Sequence, residues 1–426
     1  MPLSEPSSSD PIRILIVDDS VVIRGYIGRT LDDVDNIVIV GSVANGQAGI
    51  SFIKRELVDI VILDIEMPVM DGLTALPELR KASPWSRIIM SSTLTVQGAE
   101  VSLKAMTLGA ADYVAKPTST RDAGATDAWK HDLIEKIQAL GSAAWCERQR
   151  TGKIGRLPTG IQAKAPSSAP AKPSTPEKSP KPAISSATEK PSAPEKSPAP
   201  APPPAPEKSS TSAAIKGRLY AGGEVHLRPA TVGIPEVLAI GSSTGGPQAL
   251  FEVLPHLKGL RQPIVITQHM PKTFTTILAD HISRQTGLPC SEAKDGDVLT
   301  PGKALVAPGD FHMLFEKHGT EVRVKLNQGA PENFCRPAVD PMFRSLATLY
   351  NPSKMLMAIL TGMGSDGMRG ADPLVNAGAT LVAQDQPSSV VWGMPGAVAT
   401  AGLCTAVLPL AEIGPWLRRK ATGGAG

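Results

Sequence analysis

Short, mostly apolar runs alternate with polar and glycine-rich turns at both ends of the chain. In the first third these runs cover residues 12–17, 58–63, 87–90 and 111–115, and in the last half residues 237–240, 263–267 and 355–360. Their length is typical of buried strands, whereas the stretches 248–254 and 274–282 have helical spacing. The alternation predicts α/β folds with parallel sheets, whose functional groups gather where the strands end.

A serine follows the first strand of the second group. Residues 241–247 read Gly-Ser-Ser-Thr-Gly-Gly-Pro, and the first five match the Gly-x-Ser-x-Gly pattern of a nucleophile elbow with Ser243 at the corner. The N–H groups that begin the next helix would lie where a developing oxyanion needs donors. A phosphate-binding loop is less favoured, because the Lys-Ser/Thr ending of such loops is absent. Taken alone, the motif also fits an ordinary Gly/Ser turn.

Two further strand ends carry the partners that a serine nucleophile needs. His269 follows the second run of this group, and Asp366 lies in the glycine-rich turn after the third. Serine catalysis requires a general base and a group that orients it. His312 is a second candidate for the base, whereas His256 and His281 fit surface or packing positions. The order Ser, His, Asp differs from that of α/β-hydrolases, so the elbow does not imply their fold.

Carboxylates end the strands of the first third. Asp18 and Asp19 follow the first run and Asp64 the second, while Ser91 and Lys116 end the third and fourth. Carboxylates gathered at one sheet edge suit a hard cation such as Mg²⁺. A lysine and a hydroxyl beside them suit an acyl phosphate on the remaining carboxylate. Helix capping by aspartate would explain any one of these elements, but not all four together.

These motifs resemble two known families. Residues 12 to about 140 resemble the receiver domain of two-component response regulators, and residues 235 to about 418 resemble the catalytic domain of chemotaxis protein-glutamate methylesterases, the CheB family. The segments that carry the second resemblance are Gly-Ser-Ser-Thr-Gly-Gly-Pro, Thr-Gln-His-Met-Pro, Ala-Pro-Gly-Asp-Phe-His-Met, Leu-Thr-Gly-Met-Gly-Ser-Asp-Gly and Trp-Gly-Met-Pro-Gly. The resemblance implies a flavodoxin-like receiver and a Rossmann-like three-layer esterase domain, each a doubly wound parallel sheet.

For the receiver, the resemblance implies phosphorylation. Asp64 would be the phosphoacceptor and Lys116 a contact of the phosphoryl group, with Ser91 as the switch hydroxyl and Tyr113 as the switch aromatic. Mg²⁺ would be held by three carboxylates, namely Asp18, Asp19 and Asp64. The phosphodonor would be a chemotaxis histidine kinase.

For the esterase, the resemblance makes Ser243 the nucleophile, His269 the base and Asp366 its orienting partner. The backbone N–H groups of Thr244 and Met363 would form the oxyanion hole. The implied reaction is cofactor-free hydrolysis of glutamate methyl esters on methyl-accepting chemotaxis receptors, with deamidation of receptor glutamines as a further activity. A non-catalytic docking adaptor controlled by the receiver is the alternative, and a general esterase or protease is disfavoured by the receiver.

The segment between the two groups of motifs has a different composition. It is rich in Pro, Ala, Ser, Lys and Glu, and Pro-Glu-Lys-Ser occurs at 176, 194 and 206. Such a tract cannot bury enough apolar surface to order itself. We therefore predict a disordered terminus at 1–10, a receiver at 11–145, a long disordered linker at 146–232, an esterase at 233–420 and a flexible tail at 421–426. A long tether predicts loose packing of the two domains and weak inhibition by the receiver.

Composition adds few constraints. The net charge of +3 is too small to suggest nucleic acid as a partner, and the first ten residues are polar, unlike a signal peptide. The four cysteines show no paired zinc spacing, and Cys335 is the one that could approach the substrate. These features predict a cytoplasmic protein that reaches membranes only through its receptors.

Overall fold

The computed structural model describes residues 10–93, 95–116, 123–152, 225–229 and 233–423. The predicted disordered terminus, apart from Asp10, and most of the predicted linker lie outside these residues. The description therefore concerns an N-terminal domain, residues 10–152, and a C-terminal domain, residues 225–423.

The N-terminal domain alternates five strands with five helices. Their bounds are β1 (Ile12–Val17), α1 (Val21–Leu31), β2 (Ile37–Val43), α2 (Gly46–Ile53), β3 (Ile60–Asp64), α3 (Gly72–Ala82), β4 (Arg87–Ser92), α4 (Val96–Thr107), β5 (Asp112–Ala115) and α5 (Ala123–Arg150). The strands form one parallel sheet in the order β2-β1-β3-β4-β5. This is the predicted doubly wound sheet, and it brings the ends of β1, β3 and β4 to one edge.

The last helix of this domain runs past the predicted domain boundary. Helix α5 extends to Arg150, so the prediction that the linker begins at residue 146 is wrong. Arg148 is fully buried, and its Nε lies 2.8 Å from Oδ1 of Asp59, which is also fully buried. Trp145 donates its indole N–H to Asp10 as well. These contacts anchor the end of α5 beneath the sheet, which the polar composition of this stretch does not indicate.

The C-terminal domain is a larger sheet of the same kind. Its elements are β6 (Val237–Ser242), α6 (Gly246–Val253), a 3₁₀ turn (Leu254–Leu257), β7 (Ile264–Gln268), α7 (Phe274–Thr286), β8 (Cys290–Glu292), β9 (Ala304–Val306), β10 (His312–His318), β11 (Glu321–Asn327), α8 (Val339–Ala347), a second 3₁₀ turn (Pro352–Lys354), β12 (Met355–Ile359), α9 (Met368–Asn376), β13 (Thr380–Gln384), α10 (Met394–Thr400), β14 (Ala406–Leu408) and α11 (Leu410–Ala421). Seven parallel strands run in the order β14-β13-β12-β6-β7-β9-β8, and β10 and β11 form a separate antiparallel pair.

The three apolar runs predicted in this domain become the centre of its sheet. Strand β6 pairs with β12 on one side and with β7 on the other, and all three are fully buried. Buried parallel strands read as continuous apolar runs because both faces are covered by helices. The turns after these three strands therefore lie side by side, as the position of the motifs requires.

The two domains pack against each other. The ring of Tyr113, at β5, stacks on Phe274 of α7 with centroids 4.5 Å apart. Gln248 of α6 donates its side-chain N–H to the backbone oxygen of Ala110 at 2.8 Å. Loose packing was expected from the length of the linker, and the structure does not have it, because specific contacts form independently of the tether. None of the helices that the structure describes has both the length and the hydropathy of a membrane span.

Candidate active site and phosphorylation site

The turn after β6 presents one serine and hides the other. Ser242 is fully buried, and its hydroxyl donates to Oε1 of Gln268 at 2.7 Å, whereas the next residue, Ser243, is partly exposed. Gly245 has φ +76°, a conformation that costs glycine little. A side chain at Gly362 would place its Cβ 2.9 Å from Cβ of Ser243, so this position in the neighbouring turn also requires glycine. The register of the elbow therefore presents Ser243.

The predicted base and its partner are in contact. Nε2 of His269 lies 2.7 Å from Oδ2 of Asp366, which is buried. The carboxylate also accepts the backbone N–H groups of Val339 at 2.6 Å and Asp340 at 3.0 Å. Burial acts to raise the pKa of Asp366, but the bonds from His269 and from these N–H groups outweigh it and lower the pKa. Asp366 is thus a charged group that fixes one nitrogen of the imidazole.

The other nitrogen of the imidazole faces a cysteine. Sγ of Cys335 lies 3.3 Å from Nδ1 of His269. Burial acts to lower the pKa of His269, but the charges and hydrogen bonds of Cys335 and Asp366 raise it to about 10. Among the residues that the structure describes, the hydroxyl of Ser243 forms no hydrogen bond. The structure therefore joins two members of the predicted triad and leaves the third beside them.

Sequence reasoning missed a further partner of the carboxylate. Nδ2 of Asn333 donates to Asp366 at 2.9 Å and to Asp340 at 3.1 Å. Asn333 precedes Cys335 in the same loop, and only the approach of Cys335 to the site was anticipated. The loop lies between β11 and α8 with no periodic signal of its own, so its place in the site depends on tertiary packing.

Of the two residues proposed for the oxyanion hole, Thr244 contacts the N-terminal domain, and Met363 borders a hydrophobic cluster that both domains share. Within the described part of the chain, the backbone N–H groups of Thr244 and Met363 have no hydrogen-bond acceptor. The hydroxyl of Thr244 donates to Oδ2 of Asp112 at 2.7 Å. The side chain of Met363 packs against a hydrophobic cluster that includes Val114 and Leu133. Asp112 was not singled out from the sequence, because nothing local marks it as a contact of the other domain.

His312, the second candidate for the base, is hydrogen-bonded to backbone groups through both ring nitrogens. It is buried at the start of β10, where Nδ1 accepts the N–H of Ala338 at 3.2 Å and Nε2 lies 3.0 Å from the oxygen of Ala330. With both ring nitrogens engaged away from Ser243, this residue supports the fold of the loop rather than catalysis.

The carboxylates of the N-terminal domain gather as expected. One ligand oxygen from each of Asp18, Asp19 and Asp64 lies within 4.8 Å of the others. Nζ of Lys116 is 2.7 Å from Asp64 and 3.2 Å from Asp18. Across the sheet, Ser91 pairs in register with Asp64. Tyr113 is buried and turned toward the C-terminal domain, where it stacks on Phe274.

The electrostatics of this cluster suit a cation. Burial raises the pKa of Asp64, and the charge of Asp18 adds to the rise, while the hydrogen bond from Lys116 opposes it. Oδ2 of Asp64 is buried and has no hydrogen-bond partner within the described residues. An unpaired buried carboxylate oxygen next to two more carboxylates is the donor set that Mg²⁺ prefers.

Comparison with known proteins identifies the family of each domain. The family model described as CheB methylesterase matches residues 238–417, and the response regulator receiver domain model matches residues 14–125. The chain is 49% identical over 98% of its length to the protein-glutamate methylesterase/protein-glutamine glutaminase of group 2 operon of Rhodospirillum centenum, covering 96% of that protein. It is 48% identical over 98% of its length to the protein-glutamate methylesterase/protein-glutamine glutaminase of Azospirillum brasilense, covering 95% of it.

One solved structure is similar to part of this chain. The Thermotoga maritima CheB methylesterase catalytic domain is 40% identical and matches 43% of this chain and 98% of its own, with a TM-score of 0.42. The matches to curated relatives run through both domains. The chain therefore belongs to the CheB methylesterase family and carries a response regulator receiver domain at its N-terminal end.

Proposed function

We propose that this protein is a phosphorylation-regulated protein-glutamate methylesterase that also deamidates glutamine side chains. The observation that carries the proposal is the contact of His269 with Asp366 at strand ends adjacent to that of the partly exposed Ser243. The names of the curated relatives describe both activities. The substrates would be methyl-accepting chemotaxis receptors, whose modified residues lie on helices.

In this mechanism the hydroxyl of Ser243 attacks the γ-carbonyl carbon of a glutamyl methyl ester while His269 takes its proton. The N–H groups of Thr244 and Met363 hold the oxyanion, and each such donor is worth about 10²- to 10³-fold in rate. His269 then gives the proton to the leaving methoxide, which departs as methanol. Water hydrolyses the acyl-enzyme by the same proton transfers, which frees Ser243 and leaves a carboxylate. An amide loses ammonia by the same route, but more slowly because amides are less reactive.

Regulation would act through the receiver. Asp18, Asp19 and Asp64 would hold Mg²⁺, which would neutralise charge on the phosphoryl group as it is transferred to Asp64 from a histidine kinase. Lys116 would contact the phosphoryl group, while Ser91 and Tyr113 would respond to it. In the unphosphorylated state the receiver covers the oxyanion donors through Asp112 and the Met363 cluster. Phosphorylation would weaken this contact and admit the receptor helix.

Methanol release tests the proposal directly. Full-length protein is mixed with membranes that carry methylated receptors, with and without acetyl phosphate and Mg²⁺. We expect methanol in both cases and a faster rate with the phosphodonor. If folded, phosphorylated protein releases no methanol from any receptor and yet binds the membranes, the receptor-docking adaptor is the better interpretation.

A further inference from the structure

The loop of residues 332–337, which we call the histidine-facing loop, has an unusual backbone. Asn333 has φ +51° and Phe334 φ +62°, and neither is a glycine. Such values are uncommon, and for a bulky aromatic residue they are outliers that persist only when the surroundings hold them. The backbones of Glu332 and Cys335 also exchange hydrogen bonds of 3.1 and 2.9 Å, which close the loop. This conformation brings Cys335 to the imidazole.

The loop is fastened to the catalytic carboxylate. The side chain of Asn333 donates hydrogen bonds to both Asp366 and Asp340. Glu332 accepts a hydrogen bond from the guanidinium of Arg344 at 2.5 Å. The carboxylate that orients His269 through Oδ2 therefore also holds, through Oδ1, the loop that presents Cys335. A change in the position of the loop would be felt at the base.

An imidazole has only two nitrogens, and both are engaged. Asp366 is hydrogen-bonded to Nε2 of His269. The proton of Ser243 must therefore be received by Nδ1, which lies 3.3 Å from Sγ of Cys335. We infer that Cys335 is a positioning residue that occupies the proton-accepting nitrogen of His269, and that contacts from the receiver hold it there. This inference rests on the proposed function, because it assumes that His269 is the base.

Sγ of Cys335 lies against Nδ1 of His269, and the carboxylate of Asp366 at Nε2 favours the protonated ring. The groups that face the pair are Asp366 from the turn after β12, Asp340 from α8 and Lys136 from α5 of the receiver. Burial acts to lower the pKa of Lys136, but nearby negative charges raise it. A protonated His269 cannot accept the proton of Ser243.

The receiver touches the histidine-facing loop from outside. The ring of His131, on α5, lies 4.8 Å from the ring of Phe334, which is otherwise exposed. Lys136 lies on the same helix and donates to the backbone oxygen of Tyr113 at 2.7 Å. Departure of the receiver would remove the ring contact and the positive charge together. The loop would then release Nδ1 to Ser243.

The test is a titration of His269 by NMR in the full-length protein labelled at histidine. The variants are Cys335→Ala and Cys335→Ser, and the matched control is Cys146→Ser on α5. We expect the wild type and the control to titrate near pH 10. Both variants at Cys335 should titrate at least about one pH unit lower, which is a tenfold change in the proton-binding constant. The serine variant keeps approximately the size of the side chain and removes only the sulfur.

The link to the receiver is tested in the same experiment. Acetyl phosphate with Mg²⁺ should lower the midpoint in the wild type and change it little in Cys335→Ala. His131→Ala, which removes the ring contact with Phe334, should lower it in part, whereas Lys130→Met on the same helix should not. Without the phosphodonor, the rise of methanol release with pH should begin at lower pH in Cys335→Ala than in the wild type.

Two results would overturn the inference: an unchanged midpoint in both variants at Cys335, or an equal response of wild type and Cys335→Ala to the phosphodonor. Failure of the proposed function is a separate outcome, recognised by the absence of methanol release from the phosphorylated wild type. The titration of His269 does not depend on methanol release, so the contact with Cys335 is tested either way.

Discussion

At the carboxyl edge of the receiver sheet, one oxygen from each of three carboxylates lies within 4.8 Å of the others, and Lys116 bridges two of them. At the same edge of the esterase sheet, the carboxylate of Asp366 is surrounded by donors, from His269, from Asn333 and from backbone N–H groups. The first edge has an excess of negative charge and suits an incoming cation. The second already has donors around its carboxylate, and Thr244 beside it contacts the receiver. The same kind of sheet edge thus carries one cluster that suits a ligand and one whose groups satisfy each other.

The largest expected effect is the loss of methanol release when the proposed nucleophile is removed. Ser243→Ala should lower methanol release by about 10⁴-fold or more, because members of a catalytic triad act as a unit. The neighbouring Ser242→Ala should keep substantial activity, since that hydroxyl is buried and bonded to Gln268. Steady-state methanol release from methylated receptor membranes measures both. An essential Ser242 with a dispensable Ser243 would mean that the register of the elbow is wrong.

The next effect concerns the stability of the receiver rather than its site. Arg148→Met leaves the buried carboxylate of Asp59 without its partner, which typically costs about 3–5 kcal/mol. Arg150→Met is the matched control, because Arg150 is 72% exposed and pairs with Glu147 at the surface. Urea unfolding followed by circular dichroism gives both free energies. Equal stability of the two variants would show that α5 does not depend on the buried pair.

A smaller effect is expected when the proposed phosphoacceptor of the receiver is removed. Asp64→Asn should remove the stimulation of methanol release by acetyl phosphate, and chelation of Mg²⁺ should do the same in the wild type, because the carboxylates need a cation before they accept a phosphoryl group. We expect stimulation of about tenfold or more, equivalent to about 1.4 kcal/mol. Asp71→Asn, which can still cap α3, should keep it. Persistent stimulation in Asp64→Asn would place the phosphoryl group on another residue.

The smallest expected effect concerns a hydrogen bond between the esterase domain and the receiver. Gln248→Ala removes a hydrogen bond to the backbone of the receiver, and a bond of this kind contributes about 1 kcal/mol. The rate without phosphodonor should therefore rise by about fivefold or less, with no change in the phosphorylated rate. Glu252→Ala, exposed on the same helix, serves as the control. A Gln248→Ala rate equal to that of the control would mean that this contact does not contribute to inhibition.

The sequence predicted β1, β3, β6, β7 and β12, which are buried on both faces, because their apolar runs are continuous. It did not predict β9 and β13, which are buried but short or bounded by polar residues, β2, which is half-buried, or the β10–β11 pair, whose outer ends are exposed. The ends of β6, β7 and β12 were expected to lie together, and they do. The catalytic roles of Ser243, His269 and Asp366 stay predictions that the experiments above address.

Features that depend on distant packing were outside the reach of sequence patterns. Asp112 and Thr244 are 132 residues apart in the chain, and neither has a local signal for the other. The backbone at Asn333 and Phe334 has positive φ, but neither residue is a glycine, so the sequence carries no signal for this conformation. The end of α5 was missed because its buried arginine looks like part of a polar tract.

The contact of the receiver with Thr244 has a kinetic consequence for the proposed function. The receiver and a receptor helix would lie over the same residues, so each would exclude the other from the esterase. An inhibitor carried on the enzyme's own chain is always present at a fixed effective concentration. Dense substrate competes with it, so inhibition should appear as a raised apparent KM with an unchanged limiting rate. A membrane crowded with methylated receptors would thus help to open the enzyme before any phosphate arrives.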